Sequence, residues 1–196
     1  LTDLPAAWRL IRRAARRAPI VVCAIHAGAE GSAAQHVTGH EEHYLGEDRG
    51  NPERFARMAV RAGADLVLGS GPHVLRGMEI YRRRLIAYSL GNFSGFHNFE
   101  TSGVLGASAV LHVSLSPHGR FRAGRIASVR LEGPGRPAPD PSREAWPLRT
   151  GVMGQEAGGG QKEDEGKKQE TEEAVSREPE ASATIGMPLF VWGNSS

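Results

Sequence analysis

The feature that most constrains this chain is a short apolar run at residues 20–25, Ile-Val-Val-Cys-Ala-Ile. It is continuous and rich in β-branched side chains, the pattern of a strand covered on both faces. Such strands belong to parallel sheets, whose crossover connections carry helices. The flanking sequence supplies them. Residues 3–18 place Leu4, Trp8, Ile11 and Ala15 at helical spacing, with Arg9, Arg12, Arg13, Arg16 and Arg17 largely on the other face, and Pro19 ends the helix. A second helix opens at Asn51, an N-cap followed by Pro52 and by Glu53 at the positive end of the dipole. Phe55, Met58, Ala59 and Ala62 give it an apolar face, and Gly63 closes it. Residues 66–68 form the next buried strand. Helix, strand, long loop, helix and strand across residues 3–69 make an α/β pattern with a parallel pair.

Beyond residue 69 the period shortens. Residues 78–81, 85–90, 110–115 and 125–131 read as strands, with turns at Arg82-Arg83-Arg84 and Ser116-Pro117-His118-Gly119. Residues 1–133 then form the domain, 134–160 a Pro/Gly-rich linker and 161–196 a charged, low-complexity, disordered tail. Residues 154–183 are expected to be mobile, and the apolar stretch 185–192 to be untethered. The content of 25 Gly and 12 Pro against 39% hydrophobic residues agrees with a substantial loose segment.

A net charge of +2 gives no overall case for nucleic-acid or membrane binding. The charge is uneven: residues 161–196 hold eight acids and four bases, net −4, which leaves +6 for residues 1–160. The arginine face of the first helix reads as a solvated surface. One cysteine, Cys23, excludes an internal disulfide and a multi-thiolate metal site, and reads as a small buried hydrophobe. No apolar run approaches the length of a membrane-spanning helix and no signal peptide is visible, although the start at Leu1 reads as mid-protein. The triplets Asn92-Phe93-Ser94 and Asn194-Ser195-Ser196 match a glycosylation pattern by chance.

Three polar groups follow predicted strands: His26 after IVVCAI, His73 in GSGPHV, and Asn92 in YSLGNF. Ligands of open α/β sheets bind beyond the carboxyl ends of strands, so parallel strands would bring His26 and His73 to one edge. An imidazole there serves as a metal ligand or as a general base. Nitrogens roughly 3–5 Å apart would suit a shared metal, given metal–nitrogen bonds of about 2 Å. Glu30, four residues past His26, could orient an imidazole or reach a metal, and Glu79 beyond GPHVLRG offers the same choice. Gly69, Gly71 and Gly91 mark tight turns beside the site. The segment QHVTGHEEH is not a zinc-protease motif, because His40 and His43 stand at i, i+3 beside Gly39 rather than at i, i+4 on a helix. His36, His40 and His43 read as loop residues.

The strings IVVCAIHAGAE, AVRAGADLVLGSGPHVLRGMEIY and LIAYSLGNF together resemble the capsule-synthesis CapA family of poly-γ-glutamate capsule formation, over about residues 5–140. The resemblance implies the C-terminal half of a calcineurin-like αββα sandwich with a metallophosphoesterase-type dinuclear centre. It implies His26 and His73 as metal ligands and Asn92 as part of a structural turn; Glu30, Glu79 and Asn92 remain the candidate supporting or substrate groups. The metal would be Mn, Mg, Zn or Fe. Gly71 stands where the first histidine of a G-H-x-H element sits, so one implied ligand is missing. The aspartate ligands of the wider group precede the segment seen here, so this chain alone is expected to be inactive. The implied partners are a polymer or phosphate-containing substrate and capsule-assembly proteins, with no nucleic acid, at the cell envelope. The alternative is a non-catalytic polymer- or partner-binding component of a capsule-assembly machine.

Overall fold

The computed structural model describes residues 1–142. The expectations for residues 143–196, including the charged tail, lie outside the described residues. Helix α1 spans Leu4–Ala15, with the Asp3 carboxylate accepting the Ala6 N–H at 2.9 Å as its N-cap. Helix α2 spans Pro52–Ala62 and is capped as its sequence requires: Asn51 Oδ1 accepts the Arg54 N–H at 2.8 Å, and Gly63 closes it at φ +115°.

Between them runs β1 (Val22–His26), followed by a tiny hairpin, β2 (His43–Tyr44) and β3 (Glu47–Asp48). After α2 come β4 (Leu66–Ser70), β5 (Met78–Tyr81) and β6 (Arg84–Ala87). The main sheet has the order β1-β4-β6-β5, with β1, β4 and β6 parallel and β5 antiparallel to β6. Arg82 and Arg83 form the β5–β6 turn, both at positive φ, the handedness a two-residue hairpin needs. A second, antiparallel sheet contains β7 (Ala107–Leu115), β8 (Phe121–Glu132) and β9 (Arg136–Pro139).

Strand alternation sorts the core into two layers. Val67 and Ile86 face α1 and α2, packing with Ile11, Phe55 and Ala59. Their neighbours Leu66, Leu68, Leu85 and Ala87 face the second sheet, against Leu111, Val113 and Leu115 of β7. The described residues therefore stack as helices, four-stranded sheet, three-stranded sheet. The expected α/β class is adopted. A second helical layer, which an αββα sandwich requires, is absent among the described residues, where Arg122–Arg125 of β8 are exposed.

Several expectations are corrected. β1 is not covered on both faces: with β4 as its one described neighbour it is an edge strand, Ala24 is exposed and Cys23 only half-buried. Burial nevertheless raises the Cys23 thiol pKa. Trp8 is 38% exposed rather than packed. The helices meet through Ala7, Ala14 and Ala15 against the alanines of α2, and a Cβ on Gly63 would lie 2.8 Å from Ala15 Cβ, so an indole has no room between them. Residues 134–139, expected as linker, form a turn and β9. Pro137 and Pro139 are tolerated because β9 is an edge strand, where a missing N–H costs no ladder bond. Buried Asp140 closes this end by accepting the Ser128 hydroxyl at 2.6 Å.

Candidate functional site

Parallel pairing sets His26 opposite Ser70, so β1 and β4 end on the same sheet edge. His73 follows three residues later, and the two imidazole centroids lie 6.4 Å apart at 73°. The loops beyond the strands are joined to each other. Ala27 N–H donates to Ser70 O at 2.9 Å, and Gly31 N–H to Pro72 O at 3.0 Å. His73 itself sits at φ +59°, a conformation non-glycine residues adopt at a cost and one that clusters at functional sites.

Three neighbours hold the His73 ring. Buried Asn92 places Oδ1 2.6 Å from Nδ1, where it accepts that N–H and fixes the orientation of the ring. Nε2 faces Glu30 Oε2 at 3.4 Å, and the other Glu30 oxygen accepts from the Arg49 guanidinium. Phe99 lies against the ring at 5.2 Å between centroids. Asn92, His73, Glu30 and Arg49 thus form a continuous polar chain, with the Arg49 cation 5.7 Å from the Tyr44 ring centre.

His26 has fewer partners. Ser70 Oγ is 3.4 Å from its Nδ1, but that hydroxyl donates to Ile25 O at 3.0 Å and can serve His26 only as an acceptor. Burial, reinforced by the neighbouring His73 ring and the Arg49 guanidinium and opposed by Glu30, holds the His26 pKa below its usual value. The ring is therefore neutral at pH 7, the form that ligates metals.

Gly71, where the resemblance implies another histidine, cannot bear a side chain on this backbone. Its φ is +114°, and a Cβ there would lie 2.8 Å from Ala27 N and 3.0 Å from Ala27 O. Among the described residues no group of three or more His, Cys, Asp or Glu could hold a metal ion. The described donor set consists of two imidazoles with a carboxylate near one of them.

Of the residues singled out by sequence, His26, His73, Glu30 and Asn92 converge. Glu79 does not. It lies on β5, the edge opposite β1, where it accepts from Arg57 Nε at 2.9 Å and from the Tyr88 hydroxyl at 2.7 Å. Burial and that hydrogen bond push the Tyr88 pKa well up. His36, His40 and His43 are exposed, as expected.

Sequence reasoning missed the residues that fix the loop. Arg76 is 1% exposed and binds Glu42, 5% exposed, through Nη1 to Oε1 at 3.1 Å and Nη2 to Oε2 at 2.8 Å. Arg76 Nε also donates to Ala34 O at 2.6 Å, while Glu42 accepts the Ala29 N–H at 2.8 Å. This bidentate pair pins the backbone next to Glu30. The available signal was an arginine directly after the apolar pair Val74-Leu75, and the acids of HEEH rather than its histidines.

Residues 2–95 match the family described as bacterial capsule synthesis protein PGA_cap. The chain is 36% identical over 117 residues to PGA biosynthesis protein CapA of Bacillus subtilis (strain 168), which covers 60% of this chain and 27% of that protein. It is 42% identical over 52 residues to capsule biosynthesis protein CapA of Bacillus anthracis, covering 26% and 13%. Over 41 residues it is 61% identical to the protein y4sH of Sinorhizobium fredii (strain NBRC 101917 / NGR234), covering 21% and 9%. The matches thus span between 9% and 27% of these relatives' own lengths. The segment that carries His26, His73 and Asn92 belongs to the capsule-synthesis CapA family.

Proposed function

We propose that the chain serves capsule biosynthesis at the cell envelope, of the poly-γ-glutamate type, and contributes one side of a divalent-metal site of metallophosphoesterase type. The observation that carries this reading is the convergence of two imidazoles at one sheet edge, one with its ring orientation fixed by Asn92. His26 and His73 Nε2 would hold Mn, Mg, Zn or Fe, and Glu30 would steady His73 or the bound group. A metal in such a site activates water and stabilises phosphoryl oxygens. Further carboxylate ligands must come from outside the described residues, because none of the described acids besides Glu30 joins the cluster. The chain alone therefore lacks phosphoesterase activity. No helix among the described residues is long and apolar enough to cross a membrane.

A second reading, a non-catalytic component that binds polymer or assembly partners, is favoured by Gly71, whose backbone excludes the further ligand. The test is turnover of a generic phosphodiester by the purified chain with added manganese, magnesium or zinc. Activity indistinguishable from that of His26→Ala/His73→Ala is expected. Turnover clearly above that variant would show a complete ligand set in this chain and end the partial-site reading.

A further inference from the structure

We infer that the outward face of α1 is a docking surface for a linear polycarboxylate, an acidic polymer of the polyglutamate kind. The inference rests on the capsule reading above for the identity of the polymer. It does not use the histidine cluster.

Arg9, Arg12, Arg13 and Arg16 recur at i, i+3, i+4 and i+7, and Arg17 follows. At about 100° per residue they fall within one arc of roughly 140°, opposite the face made by Leu4, Ala7, Ile11 and Ala14. All five arginines are exposed. Helix α1 contains no acid, and no ion pair joins any of the five to a described carboxylate. Like charges at i, i+4 destabilise a helix, so a merely solvated face gains nothing from this arrangement. The dipole favours Arg12 and Arg13 near the C-terminus, but Arg9 lies outside the last turn. Trp8, 38% exposed, and Leu10, 68% exposed, flank the stripe on its two sides and offer apolar contact to a polymer backbone.

The surroundings favour a polycarboxylate over a bilayer. The apolar face of α1 is already packed against α2, so the helix cannot sink it into lipid. Guanidinium groups match carboxylates as two-point forks, and a row of them fits a chain that carries one carboxylate per repeat.

The test is binding of fluorescent poly-γ-glutamate to the full chain by anisotropy, at low and at physiological salt. Binding that weakens with salt is expected. Arg9→Gln/Arg12→Gln/Arg13→Gln/Arg16→Gln should lose roughly tenfold or more in affinity with an unchanged far-ultraviolet spectrum, since glutamine is a good helix former. The matching lysine variant should retain part of the binding, and Arg122→Gln/Arg125→Gln, on exposed β8, should bind like the parent. Equal binding by the four-glutamine variant, or no binding by the parent, overturns the inference. So does tighter binding of single-stranded DNA or of phosphatidylglycerol vesicles through the same arginines. If His73→Ala abolishes binding while the glutamine variant keeps it, the polymer sits at the histidine cluster. The α1 inference then falls while the capsule reading stands.

Discussion

β1 and β4 run side by side in register, and each sends a histidine to the same edge, yet their surroundings differ sharply. β4 is buried at all five positions between the helical layer and the second sheet. Its histidine is held by Asn92, Glu30 and Phe99. β1 has one described neighbour, an exposed Ala24, and a histidine with the Ser70 hydroxyl 3.4 Å from its ring. The contrast teaches that the site has a built side and an open side. Strand burial and side-chain constraint rise together, because the packing that covers β4 also supplies the elements that grip His73.

The sharpest way to break this comparison is at the node behind the built side. Arg76→Met should cost about 3–5 kcal/mol in urea unfolding, because it strands the buried Glu42 carboxylate. Arg76→Met/Glu42→Leu should recover much of that loss, as apolar replacement of a whole buried pair often does. A small loss in the single variant would mean that the loop is not pinned there. Next, Leu66→Ala on β4 should cost about 2–5 kcal/mol. Ala24→Ser on β1 should stay within about 0.5 kcal/mol. Similar losses at both positions would show that β1 is covered after all.

Gly71→Ala should cost about 1–3 kcal/mol from the left-handed backbone alone, with the contact to Ala27 adding to it. A neutral result would reopen position 71 to a ligand. The smallest effect concerns pH. The folded pKa of His26 lies below its unfolded value near 6.5, so the unfolded chain binds its proton first on acidification. This contribution to stability is intact above 6.5 and is lost as pH falls toward the lowered folded value. Comparing parent with His26→Gln across that window by urea unfolding should show a shallower pH slope in the variant. A parallel slope would mean that His26 titrates normally.

Local signals carried much of the fold. The Asn51-Pro52-Glu53 start and Gly63 stop bounded α2 because caps act within one turn, and the apolar runs located β1 and β4. The failures share a cause: each depended on what packs against the residue. Trp8 fits a helical apolar face, but only the alanine-lined approach of α2 reveals that there is no space for it. Pro137 and Pro139 signal a linker unless β9 is known to be an edge. At the site, position after a predicted strand singled out His26, His73 and Asn92, and spacing from His26 pointed to Glu30. Glu79 was misassigned because nearness in sequence to His73 does not survive the β5–β6 hairpin, which carries it to the far edge. Arg76 and Glu42 are 34 residues apart, so neither periodicity nor spacing could join them.

On the proposed function, His26 and His73 face one shared cation position. Proton NMR of the histidine ring signals during a manganese(II) titration of the full chain tests it most directly. Both rings are expected to broaden together at the same metal concentration, and either His26→Ala or His73→Ala to remove the effect from the remaining partner. Broadening of one ring without the other, or broadening that survives loss of its partner, would contradict it.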